Sequence, residues 1–123
     1  MGALQCFKVN VDGIITEVKT EGALKEKLNT EECYIIVSDE YRKIYFWKGF
    51  KSNVRAKFYG VEKSYDIRRQ LGMDYSIVVF DEYEEDSEFI KLIGGKTEGG
   101  IGREIEEYER RAKKYFAPNV FWD

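Results

Sequence analysis

The sequence contains no histidine, and this absence excludes several kinds of active site. Ser-His and Cys-His nucleophile systems, imidazole acid–base catalysis near neutral pH and most zinc sites all need that side chain. Neighbouring carboxylates remain, for example within residues 84–86 and 104–107. On turns and exposed helix faces, however, such groups are usually solvated charges. We therefore expect a binding protein and not an enzyme.

Cysteine is scarce, and the two that occur, Cys6 and Cys33, each lie in an apolar run of strand length. A disulfide between them would need facing strands and an oxidising compartment. Free cysteine is otherwise a small hydrophobic residue that is often buried. We therefore expect two buried free thiols.

Long apolar runs are also lacking. No stretch approaches the roughly 18 apolar residues of a membrane-spanning helix. Residues 1–20 lack the charged start and the unbroken apolar stretch of a signal peptide. We therefore predict that the protein has no membrane span and is cytoplasmic.

Basic residues are not in excess. The chain has 20 Lys and Arg against 23 Asp and Glu, interspersed along its length, for a formal net charge of -3. A general nucleic-acid binder needs surplus positive charge to displace counterions from phosphates. The composition therefore predicts that nucleic acid is not a partner.

Proline is nearly absent as well, and the single one, Pro118, lies near the end of the 123 residues. No linker or repeat divides the chain, whose length is typical of one domain. We predict a single domain over residues 1–123. Its core would cover about residues 4–100, and residues 101–123 would form a C-terminal amphipathic helix and tail.

Strand patterns recur along this core. Two runs flank Asp12-Gly13, a hairpin turn signal, and residues 33–37 form a continuous apolar run that predicts a central strand buried on both faces. The predicted strands cover residues 4–11, 14–18, 33–37, 44–47 and 76–80.

A long helix is predicted from a cap at Ser52 or Asn53 to Leu71, with Gly72 as its stop. Small residues begin one side of this helix and would let it lie close against a sheet. That side comprises Ala56, Gly60, Ser64, Ile67 and Leu71. Shorter helices are predicted over residues 21–28 and 87–93, with a final helix over residues 101–116.

The order of these motifs resembles the gelsolin/villin domain family. The strand at 33–37 has an acidic lead-in, and an aromatic strand ends in Trp47-Lys48-Gly49. A Ser-Asn-led helix, a buried strand, the acidic run 81–86 and a short helix ending at Gly94 follow in the family's order. The resemblance implies a gelsolin-like domain of the α/β (α+β) class. Its central mixed five-stranded sheet would lie between one long and one short helix, with the C-terminal helix added.

The resemblance also implies a function in binding actin or an actin-like protein and regulating its assembly, by sequestering monomers or by capping. Family members place the exposed side of the long helix in a cleft on actin. Carried over by position, that side comprises Phe58, Tyr59, Glu62, Asp66 and Arg69. It is mostly polar after Tyr59, and the large residues of the helix have a structural alternative, in which they cover core instead of forming a partner surface.

Calcium is the family's usual regulator, and the resemblance implies which residues would bind it. The lead-in to the central strand supplies Glu31 and Glu32, and the late loop supplies the Ile101 carbonyl. The position where the family has a helix carboxylate matches Ala56, which has no ligand oxygen. Calcium prefers six to eight oxygens. We therefore expect weak calcium binding or none, and no required cofactor, with the run 81–86 as an alternative acidic site or a solvated turn.

Other readings of the fold remain open. Gelsolin-like domains also serve as interaction modules in scaffolds such as vesicle coats, so the fold alone does not identify the partner. The C-terminal helix, in turn, could cover the actin-binding face or build a homodimer.

Overall fold

The structure is a computed structural model of the chain, and it describes residues 4–96. Within this range the chain forms five strands, one 3-10 helix and two α-helices. The strands are β1 (Leu4–Val9), β2 (Ile15–Val18), β3 (Cys33–Ser38), β4 (Lys43–Lys48) and β5 (Ser76–Asp81). The α-helices are α1 (Val54–Leu71) and α2 (Ser87–Ile93), and the 3-10 helix is Leu24–Glu26. The predicted helix at 101–116 lies outside the described residues.

The strands form one mixed sheet in the order β2-β1-β3-β4-β5. Neighbours are antiparallel except β4 and β5, which are parallel. A parallel pair needs a long crossover connection, and α1 provides it. The predicted fold class, a mixed five-stranded sheet with one long and one short helix, is confirmed.

The central strand β3 is buried along its whole length, as its continuous apolar sequence predicted. Successive side chains of a strand point to opposite faces, so Ile35 packs on the α1 side and Ile36 on the α2 side. Cys33 belongs to the α1-side cluster and Cys6 to the α2-side cluster, and both thiols are free and buried. Burial raises the pKa of Cys6 to about 12, which keeps this thiol protonated near neutral pH.

The long helix begins and ends where the sequence indicated. Asn53 caps it by accepting a hydrogen bond from the Arg55 amide at 2.7 Å, and Gly72, at φ 134, follows its last residue. The small residues Ala56, Gly60 and Ser64 are the buried positions of α1. They bring the helix backbone close to the sheet.

The closest approach of α1 to the sheet is at Gly60. A Cβ added there would lie 2.0 Å from Cζ of Phe46 and 2.2 Å from its Cε1. Phe46 is fully buried in β4. The ring therefore occupies the space that any larger residue at position 60 would need.

Two sequence expectations for the helices were wrong in extent. The helix predicted over residues 21–28 is only the 3-10 helix Leu24–Glu26, because Gly22 has a φ of 76 and the capping residue Ala23 has no side chain that can accept a hydrogen bond. Leu71 was placed on the sheet side of α1, but it is 41% exposed at the last residue of the helix. In the described part of the chain, neither α-helix has the length and apolar character to cross a bilayer.

We predict that Gly60→Ala lowers the free energy of unfolding by at least about 2 kcal/mol, because the added methyl group overlaps the Phe46 ring in a packed core. Urea unfolding followed by tryptophan fluorescence measures the change. Ser64→Ala is the matched control on the same helix face. It removes only the hydroxyl that donates to the Gly60 carbonyl at 2.7 Å, and should cost less than about 1 kcal/mol.

Measuring Gly60→Ala in a Phe46→Leu background separates the steric clash with the Phe46 ring from the loss of backbone freedom at position 60. Phe46→Leu shortens the opposing side chain, so Gly60→Ala should cost less in that background than in the wild-type domain. Equal costs in both backgrounds would contradict the proposed contact.

Candidate functional site

The outward side of α1 carries a row of exposed apolar residues, here named the outer stripe. It consists of Val54, Phe58, Val61 and Tyr65, which are 74%, 60%, 42% and 47% exposed. Their spacing of four, three and four residues places them on one side of the helix. Exposed apolar side chains grouped in this way are typical of a surface that binds another protein.

Charged residues border the outer stripe on one side. Glu62 and Arg69 are exposed, and Asp66 is half-buried. Asp66 and Arg69 form an ion pair one turn apart on the helix surface. Four of the five residues predicted to bind a partner, Phe58 and these three, therefore lie together on the outward side.

Tyr59 is placed differently from its neighbour Phe58. Its ring is half-buried and packs against the α1-side core cluster, and it contacts Phe58 edge-on with ring centroids 5.5 Å apart. The sequence left open whether the large residues of α1 cover core or face a partner. The structure places Tyr59 partly in the core and leaves Phe58 exposed.

The expectation that the outward side is mostly polar after Tyr59 was wrong. Val61 and Tyr65 are exposed there because the inward side is already filled by small residues that seat the helix on the sheet. Val61 and Tyr65 are among the large helix residues whose role the sequence left open between covering core and facing a partner, whereas Val54 was not considered. Their regular spacing from Phe58 was the sequence signal that could have identified them.

Of the residues that the resemblance implies for calcium, Glu31 and Glu32 lie in the loop directly before β3. Glu31 is exposed and Glu32 half-buried, whereas Ala56 is buried and has no side-chain oxygen. The Glu32 carbonyl accepts a hydrogen bond from the Gly49 amide at 2.9 Å. Among residues 4–96, no group of three or more Cys, Asp or Glu side chains is positioned to hold a metal ion. Ile101 lies outside the described residues.

The acidic run at 81–86 is not only a solvated turn, because Glu82 is 3% exposed. Its Oε1 accepts hydrogen bonds from the Thr30 hydroxyl at 2.6 Å and from the Phe50 amide at 2.9 Å. This carboxylate therefore joins the loop before β3 and the loop before α1 to the end of β5. The burial of a carboxylate in this position corrects the sequence expectation.

The next acidic residues also have structural partners. Glu85 accepts from the indole of Trp47 at 2.7 Å, and Asp86 caps α2 through the Phe89 amide at 2.8 Å. Glu88 accepts from Lys43 at 2.7 Å and from the Tyr45 hydroxyl at 2.9 Å. The hydrogen bonds from Lys43 and Tyr45 lower the pKa of Glu88. These carboxylates fix α2 to the sheet and are engaged in that role.

Two crystal structures resemble this fold. Thorarchaeota ProGel in complex with rabbit actin aligns with a TM-score of 0.68 and 23% identity, over 75% of this chain and 100% of ProGel. Thorarchaeota 2DGel3 in complex with rabbit actin aligns with a TM-score of 0.60 and 25% identity, over 78% of this chain. The match spans 48% of 2DGel3, about half its length. No protein-family model and no curated protein matches the sequence.

The fold that the family resemblance implied is therefore confirmed. The sheet, the crossover by the long helix and the short second helix occur in the order the motifs predicted, and the alignment spans the whole of ProGel. Residues 4–96 of this chain form a gelsolin-like domain.

Proposed function

We propose that this domain binds actin or an actin-family filament protein through the outer stripe of α1, and that it regulates assembly by sequestering monomers or capping filaments. The observation that carries the proposal is the outer stripe itself, four apolar side chains between 42% and 74% exposed on one side of a well-anchored helix. A helix with anchors at such spacing fits a hydrophobic groove on a partner. The domain acts as a binding module and not as an enzyme.

The anchors are large enough to provide useful affinity. Fully burying a Val, Leu or Phe side chain contributes about 1.5–3 kcal/mol. Aromatic residues are also enriched among the positions that dominate binding energy at interfaces, and the stripe contains Phe58 and Tyr65. The charged border of Glu62, Asp66 and Arg69 provides the polar rim that surrounds such a centre.

The helix is also organised before any partner arrives. Asn53 fixes its start, and the contact between Gly60 and Phe46 fixes its position on the sheet. Binding then requires little ordering of the backbone, which would otherwise reduce the affinity. The outer stripe is therefore presented as a rigid surface.

The structural neighbours support the choice of partner. ProGel and 2DGel3 were both crystallised with rabbit actin, and this chain shares their fold. A single domain offers one binding surface, whereas a second linked contact would raise the effective concentration of the first. We therefore propose sequestering or capping, which one surface can achieve. The proposed site of action is the cytoplasm, as expected from the sequence.

We predict that Phe58→Ala weakens binding to actin by about 10- to 100-fold, because it removes the aromatic anchor of the outer stripe. Co-sedimentation and a pyrene-actin assembly assay measure the effect over a titration of the domain. Tyr41→Ala is the matched control, since Tyr41 is an exposed aromatic residue in the turn between β3 and β4. It should leave binding unchanged.

Both variants should keep the wild-type unfolding midpoint, because each removes an exposed ring. A wild-type domain that leaves actin assembly unchanged at tens of micromolar would disprove the proposal. Equal losses in Phe58→Ala and Tyr41→Ala would show that the outer stripe is not the binding surface.

We further propose that binding does not depend on calcium. The position that would need a helix carboxylate is Ala56, which is buried on the inward side of α1, and the loss of a carboxylate ligand lowers calcium affinity steeply. The dissociation constant for actin should therefore change by less than about twofold between excess calcium and a chelator. Calorimetry with calcium alone is the control, and a tenfold tightening by calcium would contradict this expectation.

A further inference from the structure

The turn between β1 and β2 exposes two apolar side chains. This turn, residues 10–14, is named the hairpin tip. Val11 is 48% exposed and Ile14 is 62% exposed, at a place where hairpin loops usually carry polar residues. Single exposed apolar residues are common, but two on one short turn beside another apolar surface suggest a contact site.

The hairpin tip has a fixed shape. The amide of Asn10 donates to the Ile14 carbonyl at 3.0 Å, and the amide of Gly13 donates to the Asn10 carbonyl at 3.0 Å. The side-chain amide of Asn10 also donates to the Ile14 carbonyl at 2.7 Å, and the Asp12 carboxylate accepts from the Ile14 amide at 3.0 Å. The backbone of Ile14 is therefore fixed, while its side chain is largely exposed.

Tyr59 connects the hairpin tip to the outer stripe. Gly13 is buried and has a φ of 89. A Cβ added at this position would lie 3.2 Å from two ring carbons of Tyr59. The same ring contacts Phe58. The Tyr59 ring therefore lies against both the hairpin tip, at Gly13, and Phe58, the most exposed aromatic residue of the outer stripe.

From this geometry we propose that the hairpin tip is a second contact site for the same actin-family partner. It would pack Val11 and Ile14 against apolar side chains bordering the groove that receives α1. This inference rests on the proposed function. Because the tip and the helix are joined through Tyr59, a rigid partner that covers Phe58 reaches the tip without rearrangement of the domain.

Other occupants of the tip fit the structure less well. A stable dimer interface buries about 800 Å² on each partner, which is far more than two side chains can provide, so the tip serves better as an extension of a larger interface. The charged residue of the tip is Asp12, and an acidic group disfavours an anionic lipid surface. In the proposed complex, the contact at the tip would also fix the rotation of the domain about the axis of α1 relative to the partner.

The test compares Ile14→Ser and Val11→Ser with Phe58→Ala in the actin titration. Each tip variant should weaken binding by about 3- to 20-fold, because a partly buried apolar side chain is lost from the complex. Val79→Ser is the matched control, since Val79 is 47% exposed on β5, at the opposite edge of the sheet from β2. Ile14→Val should keep most of the affinity, because it preserves an apolar side chain.

The outcomes separate the two proposals. Wild-type binding by both tip variants, together with a loss in Phe58→Ala, would overturn the inference and leave the proposed function standing. No binding by the wild-type domain would overturn both. Light scattering on the free domain that shows a dimer broken by Ile14→Ser would assign the tip to a second copy and also overturn the inference.

Discussion

The contact between Gly60 and Phe46 is the constraint on which the rest of the domain depends. A Cβ at position 60 would fall within 2.0 Å of the buried ring, so the backbone of α1 lies directly on the sheet. A helix this close to its sheet needs small residues at the points of closest approach, and Ala56, Gly60 and Ser64 occupy them. Large apolar residues such as Phe58 and Tyr65 must then point elsewhere, and the packing that stabilises the domain also exposes the outer stripe.

Carboxylates hold the loops and the short helix α2 to the sheet. Glu82 is buried and holds two loops to the end of β5 through Thr30 and Phe50. Glu85 and Glu88 accept hydrogen bonds from the polar ends of Trp47 and Tyr45. Buried polar groups need such partners, because an unpaired one costs about 1–3 kcal/mol. The acidic run therefore anchors the aromatic core.

Much of the fold could be predicted from local pattern. The continuous apolar run at β3, the Asn53 cap and Gly72 stop of α1, and the apolar strand that became β5 each carry their own signal. The helix prediction over residues 21–28 was wrong because Gly22 adopts a positive φ, which a helix does not allow, and this φ is set by the folded loop. The burial of Glu82 was equally invisible, because its partner Thr30 lies far away in sequence.

The sequence by itself determined the elements, their order and the resemblance to the gelsolin/villin family, because helix caps, small-residue spacing and strand periodicity act over a few neighbouring residues. Only the tertiary structure decided how α1 is rotated on the sheet. That rotation separates the adjacent residues Phe58 and Tyr59, since the first is exposed and the second supports Gly13 of the hairpin tip. The physical reason is that the rotation is set by contacts with Phe46 and Gly13, which are distant in sequence and meet the helix only after folding.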